Sequence, residues 1–342
     1  MAKIEKLRVN TLPSPTWNKL GMNGAILKEV ALTSQMQVKA DSIDMGKVAF
    51  IPENSEIDAL FNEMDAYQIL IENTPSELIV LDLSAENGQE CGAVFEIQAN
   101  ANATLIFRMQ SAKDAEGFAG VLIRAKLAEN VKLHIVQFNA MGDDFRVISA
   151  LEGECSDKAE LQLTTVSLGG AETYLGAKAN LIGKESAFDS YTSYILENGQ
   201  KLDMNYVADH IGKLTNANII SSGVMHGNTF KISRQTINFI SGCSGSKGAE
   251  SEDVLLLDED VVNKSVPLIL CTEEDVEGEH GASIGQLDET LLFYMQSRGL
   301  DKETIYKMLS QSRIETAIRR MNHPETAKLI DSRLGITEED ML

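Results

Sequence analysis

A short stretch near the C-terminal end of this 342-residue chain concentrates side chains that can bind metal ions. Between Asp258 and His280 it holds one thiol, Cys271, one imidazole, His280, and a series of carboxylates that ends at Glu279. Thiolate and imidazole are suitable ligands for iron and zinc, so the stretch predicts metal chemistry with His280 as a candidate ligand. The alternative is that Cys271 is a small buried apolar residue and that the carboxylates form a solvated edge.

A second stretch, residues 291–300, combines an apolar run with Arg298 directly before Gly299. An arginine in the last turn complements the helix dipole, and a glycine favours the backbone conformation that ends a helix. The stretch therefore predicts a helix that carries Phe293 and Tyr294. Two interpretations are open: the helix packs against the rest of the fold, or it binds a partner protein.

Several motifs of catalytic and nucleotide-binding proteins are absent from the sequence. There is no Walker A motif, no G-x-G-x-x-G after a strand, no H-E-x-x-H and no G-x-S-x-G. Each of these motifs places a specific phosphate cradle, metal ligand or nucleophile. We therefore expect no ATPase activity from the chain alone.

The elements that must position these residues are strands, because a small residue followed by strand-forming residues recurs about every thirty positions. Proline is absent from Asn100 to Ser265, as a stack of backbone-paired strands requires. A period of 28 to 33 residues built from strands and turns predicts a mainly β fold, a β-helix or solenoid over residues 77–285. The predicted corners are Ala103, Val131, Ala159, Ala187, Ala217, Ala249 and Ala282.

Segments with a different pattern flank the repeat. Residues 1–76 are predicted to form a mixed, partly helical N-terminal segment. Residues 286–342 are predicted to form helices, with Asp288 and Asp301 as N-caps of the first two and Pro324 at the start of the third. Such segments can cap the open edges of a stack of strands or dock a partner.

Charge and composition exclude some classes of partner. The formal net charge is −21, with 51 acidic against 30 basic residues, so nucleic acid and anionic lipid are not expected partners. No stretch reaches the roughly 18 apolar residues of a membrane span, and the first residues lack the apolar core of a secretory signal. None of the four cysteines forms a C-x-x-C pair. Reduced thiols and a cytoplasmic location are the expectation.

From Ser251 to Leu300 the sequence resembles the SufB/SufD family of the SUF iron–sulfur cluster assembly machinery. The residues that carry this resemblance are Ser251-Glu-Asp-Val-Leu-Leu-Leu, Pro267-Leu-Ile-Leu, Glu279-His-Gly-Ala-Ser-Ile-Gly285 and Leu292-Phe-Tyr-Met-Gln-Ser-Arg-Gly-Leu300. A weaker likeness covers nearly the whole chain.

The resemblance implies a right-handed parallel β-helix with helical N- and C-terminal segments and no stand-alone enzyme activity. It also implies two protein partners. A SufB-like or SufD-like subunit pairs through its β-helix, and a SufC-type ATPase docks on the C-terminal helical region. Phe293, Tyr294, Arg298 and Gly299 are then the expected partner-binding residues.

The resemblance further implies that a transient iron–sulfur cluster assembles at the interface between two such subunits, with no cofactor bound tightly. The interface histidine of the family corresponds to His280, which is also the one candidate metal ligand. Glu279 and Cys271 are grouped with it as candidate cluster-assembly residues, although family members usually have an aliphatic residue at the position of Cys271.

Two positions distinguish the members of the family. SufB-like chains have a cysteine where this chain has Glu252, and an acidic residue after the histidine where it has Gly281. The chain therefore resembles SufD more than SufB. Three alternatives are open: a SufB-like homodimeric scaffold, a carbohydrate-active β-helix enzyme, and a structural solenoid that polymerises.

Overall fold

The structure, a computed structural model, describes residues 3–40, 43–53 and 55–336. Its strands are β1 (Ile4–Val9), β2 (Ala25–Val30), β3 (Ser34–Gln35), β4 (Gln37–Ala40), β5 (Gly46–Ala49), β6 (Asp65–Ile71), β7 (Ile79–Ser84), β8 (Gln89–Ala99), β9 (Ala103–Gln110), β10 (Glu116–Leu127), β11 (Lys132–Ala140), β12 (Asp144–Cys155), β13 (Glu160–Ser167), β14 (Glu172–Leu181), β15 (Ala187–Leu196), β16 (Lys201–His210), β17 (Asn216–Met225), β18 (Phe230–Phe239), β19 (Ser246–Leu256), β20 (Val262–Cys271) and β21 (Val276–Gln286). The helices are α1 (Asp58–Phe61), α2 (Glu289–Ser297), α3 (Lys302–Met321) and α4 (Pro324–Arg333), with a 3-10 turn at Asn18–Leu20.

Two sheets face each other and form a β-solenoid of about eight turns. From β6 to β21 successive strands alternate between the sheets, and each strand pairs in parallel with the strand two positions later. One turn is thus one strand of each sheet and two corners. Over the described residues one sheet has ten strands, namely the even-numbered strands from β6 to β20 with β3 and β5. The other sheet has nine, namely the odd-numbered strands from β7 to β21 with β4. The predicted parallel β-helix is confirmed.

The predicted corners fall on the nine-stranded sheet, but their register drifts along the axis. Val131 and Ala159 correspond, because the residues that follow them pair with each other. Ala187 is already displaced by one position. Ala282 pairs with Glu252 in the middle of β21, so its assignment as a corner is wrong. The physical reason is that the corners differ in length. Each extra residue in a corner shifts all later positions of the repeat by one residue.

Apart from the short parallel pairing of β3 with β8, parallel pairing begins at Ala66, upstream of the predicted limit at residue 77, and ends at Gln286. The division of the chain into segments 1–76, 77–285 and 286–342 stays a prediction. Among its described residues, the N-terminal segment is built mostly from strands, and the single α-helix found there, α1, has only four residues.

The first turn of the solenoid is closed by strands that run the other way. β4 pairs antiparallel with β7, and β5 pairs antiparallel with β6. Beside them, the β1–β2 hairpin and α1 pack on the outer face of the ten-stranded sheet. Arg124 joins this layer to the sheet. Its buried guanidinium donates hydrogen bonds to Asp58 at 2.6 Å, to Glu152 at 2.9 Å and to the carbonyl of Ile51 at 2.9 Å.

The C-terminal helices begin and end where the sequence predicts. Asp288 and Asp301 cap α2 and α3, and Gly335 follows α4 in the left-handed conformation. Helices α3 and α4 lie on the outer face of the nine-stranded sheet, so these two helices do not cover the end of the stack, which was one of the two interpretations of this segment. Their apolar contacts are Ile314, Ala317, Met321 and Ile330 against strand residues such as Val136, Phe138, Val166 and Ile195.

Three arginines hold these helices to three different turns. The pairs are Arg313 with Asp253, Arg320 with Asp189, and Arg333 with Asp143. The Tyr306 hydroxyl also donates to the carbonyl of Leu257 at 2.8 Å. The helices are therefore fixed along the solenoid axis by apolar packing and by charge. Over the described ranges, no helix is both long and apolar enough to cross a membrane.

The interior changes character along the axis. In the early turns it is apolar, as the buried rings of Phe95 and Phe107 show. Near the C-terminal end it contains the charged side chains of Lys231, Glu250 and Glu252, all at most 3% exposed. Charged groups are almost never buried unless they are paired or neutralised. Each of these three side chains therefore requires either an oppositely charged partner or the loss of its charge.

A pH dependence of stability follows for Glu250→Gln. Burial raises the pKa of Glu250 from 4.5 to about 8. The folded chain keeps a proton that the unfolded chain loses, so stability is full below about pH 4.5 and falls as the pH rises towards 8. Glutamine cannot ionise, and the variant should therefore gain on the order of a few kcal/mol relative to the wild type between about pH 5 and pH 9. Urea unfolding across this range measures the difference. Glu279→Gln, an exposed control, should keep the wild-type profile, and a parallel profile for Glu250→Gln would contradict the prediction.

Candidate functional site at the open end of the solenoid

The last turn has two free edges. β20 and β21 each pair with a strand on one side, and no other strand of the described residues pairs with their outer edges. β20 carries Pro267, which lacks a backbone N–H and makes this edge a poor template for another strand. β21 has no proline or lysine, and all its residues except Val276 are exposed. An edge of this kind readily pairs with another chain.

His280 lies within β21, four residues after its start, and not at a corner as predicted. Its backbone position pairs with Glu250 of the neighbouring strand β19. The side chain is exposed because no further turn covers it. His280 is therefore available to a partner that covers the open end.

The other two candidate residues take separate positions. Glu279 is exposed and pairs with Ala249, which alternation places on the outer side of the sheet. Cys271 ends β20, where its thiol donates to the carbonyl of Glu273 at 2.9 Å. The thiol is exposed, so the interpretation of Cys271 as a buried apolar residue is wrong.

The structure does not gather these three residues into one ligand set. Cys271 and His280 belong to different sheets, and after the intervening corner four more residues of β21, about 13 Å of strand, lead to His280. Among the described residues, no group of three or more His, Cys, Asp or Glu side chains could hold a metal ion. A metal bound by His280 would take at least part of its ligand set from solvent or from another chain.

Directly inside the open end lie three ionisable residues that no sequence motif indicated. Lys231 and Glu252 form a buried ion pair, and burial lowers the pKa of the Lys231 ammonium. The carboxyl of Glu250 is buried beside them without a hydrogen bond. A signal was present in the sequence, because Glu250 and Glu252 stand two residues apart in a strand and must share a face. Only the register shows that this face is the interior.

A glycine shapes the same region. A side chain at Gly223 would place its Cβ 2.2 Å from the Tyr194 ring, so only glycine lets the ring lie across this strand. The ring centre is 5.9 Å from the Lys231 ammonium nitrogen, within the range of a cation–π contact. Tyr194 thus helps to stabilise the ammonium group of Lys231, the one buried lysine of the interior within the described residues.

Helix α2 presents a second exposed surface. None of its residues is buried; Phe293 is 72% and Tyr294 54% exposed. Arg298 stacks on the Tyr294 ring at 5.1 Å and donates to its hydroxyl at 3.0 Å, while Gly299 ends the helix with a φ of +92°. The helix contacts the rest of the fold only through partly buried residues such as Leu292 and Met295, while both aromatic side chains point away from it. Two aromatic side chains that stay exposed on one helix are typical of a protein-binding surface.

A cavity of about 500 Å³ lies between the N-terminal segment and the outer face of the ten-stranded sheet. A carbohydrate-active solenoid would use a surface of this kind. Its charged side chains are engaged with each other: Asp209 accepts from Asn238 at 2.8 Å and pairs with Lys178 at 3.1 Å. Arg124 likewise binds Asp58 and Glu152. These contacts fix the N-terminal layer, and they leave few carboxylates for acid–base work.

Comparison with known proteins agrees with this geometry. The family model described as "SUF system FeS cluster assembly, SufBD core domain" matches residues 83–313. A chloroplastic iron–sulfur cluster assembly SufBD family protein of Arabidopsis thaliana is 30% identical over 152 residues, which are 44% of this chain and 27% of that protein. The iron–sulfur cluster assembly protein SufD of Bacillus subtilis is 28% identical over 170 residues, or 50% and 36% of the two chains.

A SufBD family protein of Mycobacterium leprae is 25% identical over 219 residues, which are 60% of this chain and 56% of that protein. The chain thus spans about a quarter to a half of the length of these relatives. The matched core includes every strand from β8 to β21, the exposed helix α2 and part of α3. On these grounds the chain belongs to the SufBD family of iron–sulfur cluster assembly proteins.

Proposed function

We propose that this chain is a SufD-like scaffold subunit of a SUF iron–sulfur cluster assembly complex. It pairs through its open end with a SufB-like subunit or with a second copy of itself. It also docks a SufC-type ATPase through α2 and has no catalytic activity of its own. The observation that carries the proposal is the uncovered final turn, in a chain whose core matches the SufBD family.

The edge of β21 supports the pairing step. Its eleven residues leave a row of backbone donors and acceptors without partners, which favours the addition of a strand from another chain. Because His280 lies on this strand, pairing would bring it to the interface. The iron–sulfur cluster is cargo in this proposal: it forms between two chains and is not held tightly by this one.

Glu252 supports the SufD-like role over the SufB-like role. The carboxylate replaces the cysteine expected of a SufB-like chain, and it is engaged by the Lys231 ammonium inside the solenoid. An ion pair at this position cannot supply a sulfur nucleophile or a thiolate ligand. If two copies of this chain pair, the assembly therefore lacks that thiol on both sides.

The ATPase step is proposed on the exposure of α2, because the chain itself lacks a phosphate-binding motif. The apolar face of α3 and α4 is already covered by the nine-stranded sheet, which leaves α2 as the exposed aromatic helix among the described residues. All four cysteines are free thiols, as in a reducing compartment, so the proposal includes a cytoplasmic location.

Gly281→Lys should abolish pairing through the open end. No atom lies within 4 Å of a Cβ at Gly281, so the variant should fold, while a charged side chain on an edge strand opposes strand addition. Light scattering and co-purification with a SufB-like subunit measure the loss. The matched control is Gly46→Lys on β5, at the opposite end, where a Cβ meets only ordinary contacts. Equal pairing by both variants would exclude β21 as the interface.

Phe293→Ala should weaken binding of a SufC-type ATPase by about tenfold or more, because a buried aromatic anchor is typically worth at least 1.4 kcal/mol at an interface. Binding titration with the purified ATPase measures the change. Met308→Ala, on the 48% exposed Met308 of α3, is the control. Removal of all residues after Gly285 is a poorer test, because it would expose the apolar face under α3 and α4. Unchanged affinity of Phe293→Ala would reject α2 as the docking element.

His280→Ala should leave folding and complex formation unchanged and strongly reduce cluster formation in the co-expressed complex, since imidazole binds iron or accepts a proton and a methyl group does neither. Cluster absorbance per purified complex measures the effect. Cys271→Ser should have a much smaller effect, because the thiol lies apart from His280. Normal cluster formation with a lowered melting temperature would instead assign His280 a structural role.

A further inference from the structure

The carboxyl of Glu250 is buried near the open end without a hydrogen-bond partner. The residue is 3% exposed, and neither of its side-chain oxygens makes a hydrogen bond. The backbone N–H groups of Ile237 and Leu268 are near enough to lower the pKa of this carboxyl, yet neither reaches hydrogen-bonding geometry. Buried polar groups in folded proteins are almost always satisfied, so a partner for Glu250 is to be expected.

His280 is the cross-strand neighbour of Glu250. The two residues pair directly in register between β19 and β21, and adjacent strands lie about 4.8 Å apart. Alternation places both side chains on the inner side of the sheet. Contacts at the preceding inward position support this, because a Cβ on Gly248 would meet Ile237 and one on Gly278 would meet Phe239 and Ile269.

The other charged groups near Glu250 are already engaged or face away. Lys231 of β18 and Glu252 of β19 form their own ion pair. On β21, Glu279 belongs to the outward set. From β20 the inward neighbour is Pro267, which carries no polar side chain. His280 is exposed and can turn about its side-chain bonds, so it is the polar group best placed to meet the carboxyl.

We propose that Glu250 is a positioning residue for His280, and that a hydrogen bond between the carboxyl and one imidazole nitrogen fixes the ring and its tautomer. The other ring nitrogen then faces the open end. This inference rests on the proposed function only in the use made of His280. A carboxyl group behind a histidine is a common means of orienting the ring towards a ligand on its other side.

The test is nitrogen NMR of the full chain labelled with ¹⁵N-histidine, recorded at about pH 7, where histidine side chains are mostly neutral and the Glu250 carboxyl keeps its proton. The chemical shifts of the two ring nitrogens report the tautomer ratio, and His280→Ala assigns the signal among the five histidines. Glu250→Leu removes the hydrogen-bonding group, and Glu250→Gln keeps one. Glu279→Leu is the matched control, since it changes the residue next to His280 on the outward side.

We expect one dominant tautomer in the wild type, in Glu250→Gln and in Glu279→Leu. In Glu250→Leu the ratio should move by about three- to tenfold, the range given by the loss of one hydrogen bond. Glu250→Met is a second apolar variant if leucine disturbs folding. A ratio that is the same in Glu250→Leu as in the wild type, or that shifts equally in Glu279→Leu, overturns the proposal. The measurement needs no partner and no cluster, so it is independent of the cluster assay that tests the role of His280.

Discussion

Backbone pairing from turn to turn is the constraint on which the rest of this structure depends. Each strand from β6 to β19 exchanges hydrogen bonds with a neighbour on both sides. Such a ladder satisfies its own donors and acceptors everywhere except at its two ends. At the first turn the ladder ends in the short antiparallel strands β4 and β5, and at the last turn it ends in the longer edges of β20 and β21. The candidate interface follows from this difference before any side chain is considered.

The polar side chains of the interior lie near this open end. An ion pair deep in an apolar core loses hydration that the pairing restores only in part. Near the open end of the solenoid this loss of hydration is smaller, and a partner that covers the open end would increase it. Lys231, Glu252 and Glu250 therefore occupy a region where the surroundings change when the last turn is covered. Tyr194 and Gly223 belong to the same arrangement, because the glycine lets the ring reach the lysine.

The spacing of small residues, the gap in proline and the caps at Asp288 and Asp301 were enough to predict the solenoid and the start of two helices. The helix caps are local signals, and the spacing of small residues and the gap in proline are signals that extend over many turns. The register was not predictable, because one extra corner residue displaces each later position; His280 and Ala282 were consequently placed at a corner. The helical pattern also did not show which surface of the solenoid the C-terminal helices would cover. The apolar face of α3 fits a sheet face or a sheet end equally well, and only the ion pairs with Asp189 and Asp253 show the choice.

The difference between the two ends has a consequence for stoichiometry. A solenoid with two open ends would add units indefinitely, as a filament does. Here the two ends differ: the N-terminal end finishes in β4 and β5, antiparallel strands of four residues each, whereas β20 and β21 at the other end have ten and eleven residues. If two copies join through their long edges, as proposed, each has used the edge that best accepts another strand, and the contact is of the closed, self-limiting kind. The short antiparallel strands β4 and β5 would then discourage further growth, because a short edge strand is a poor template for pairing.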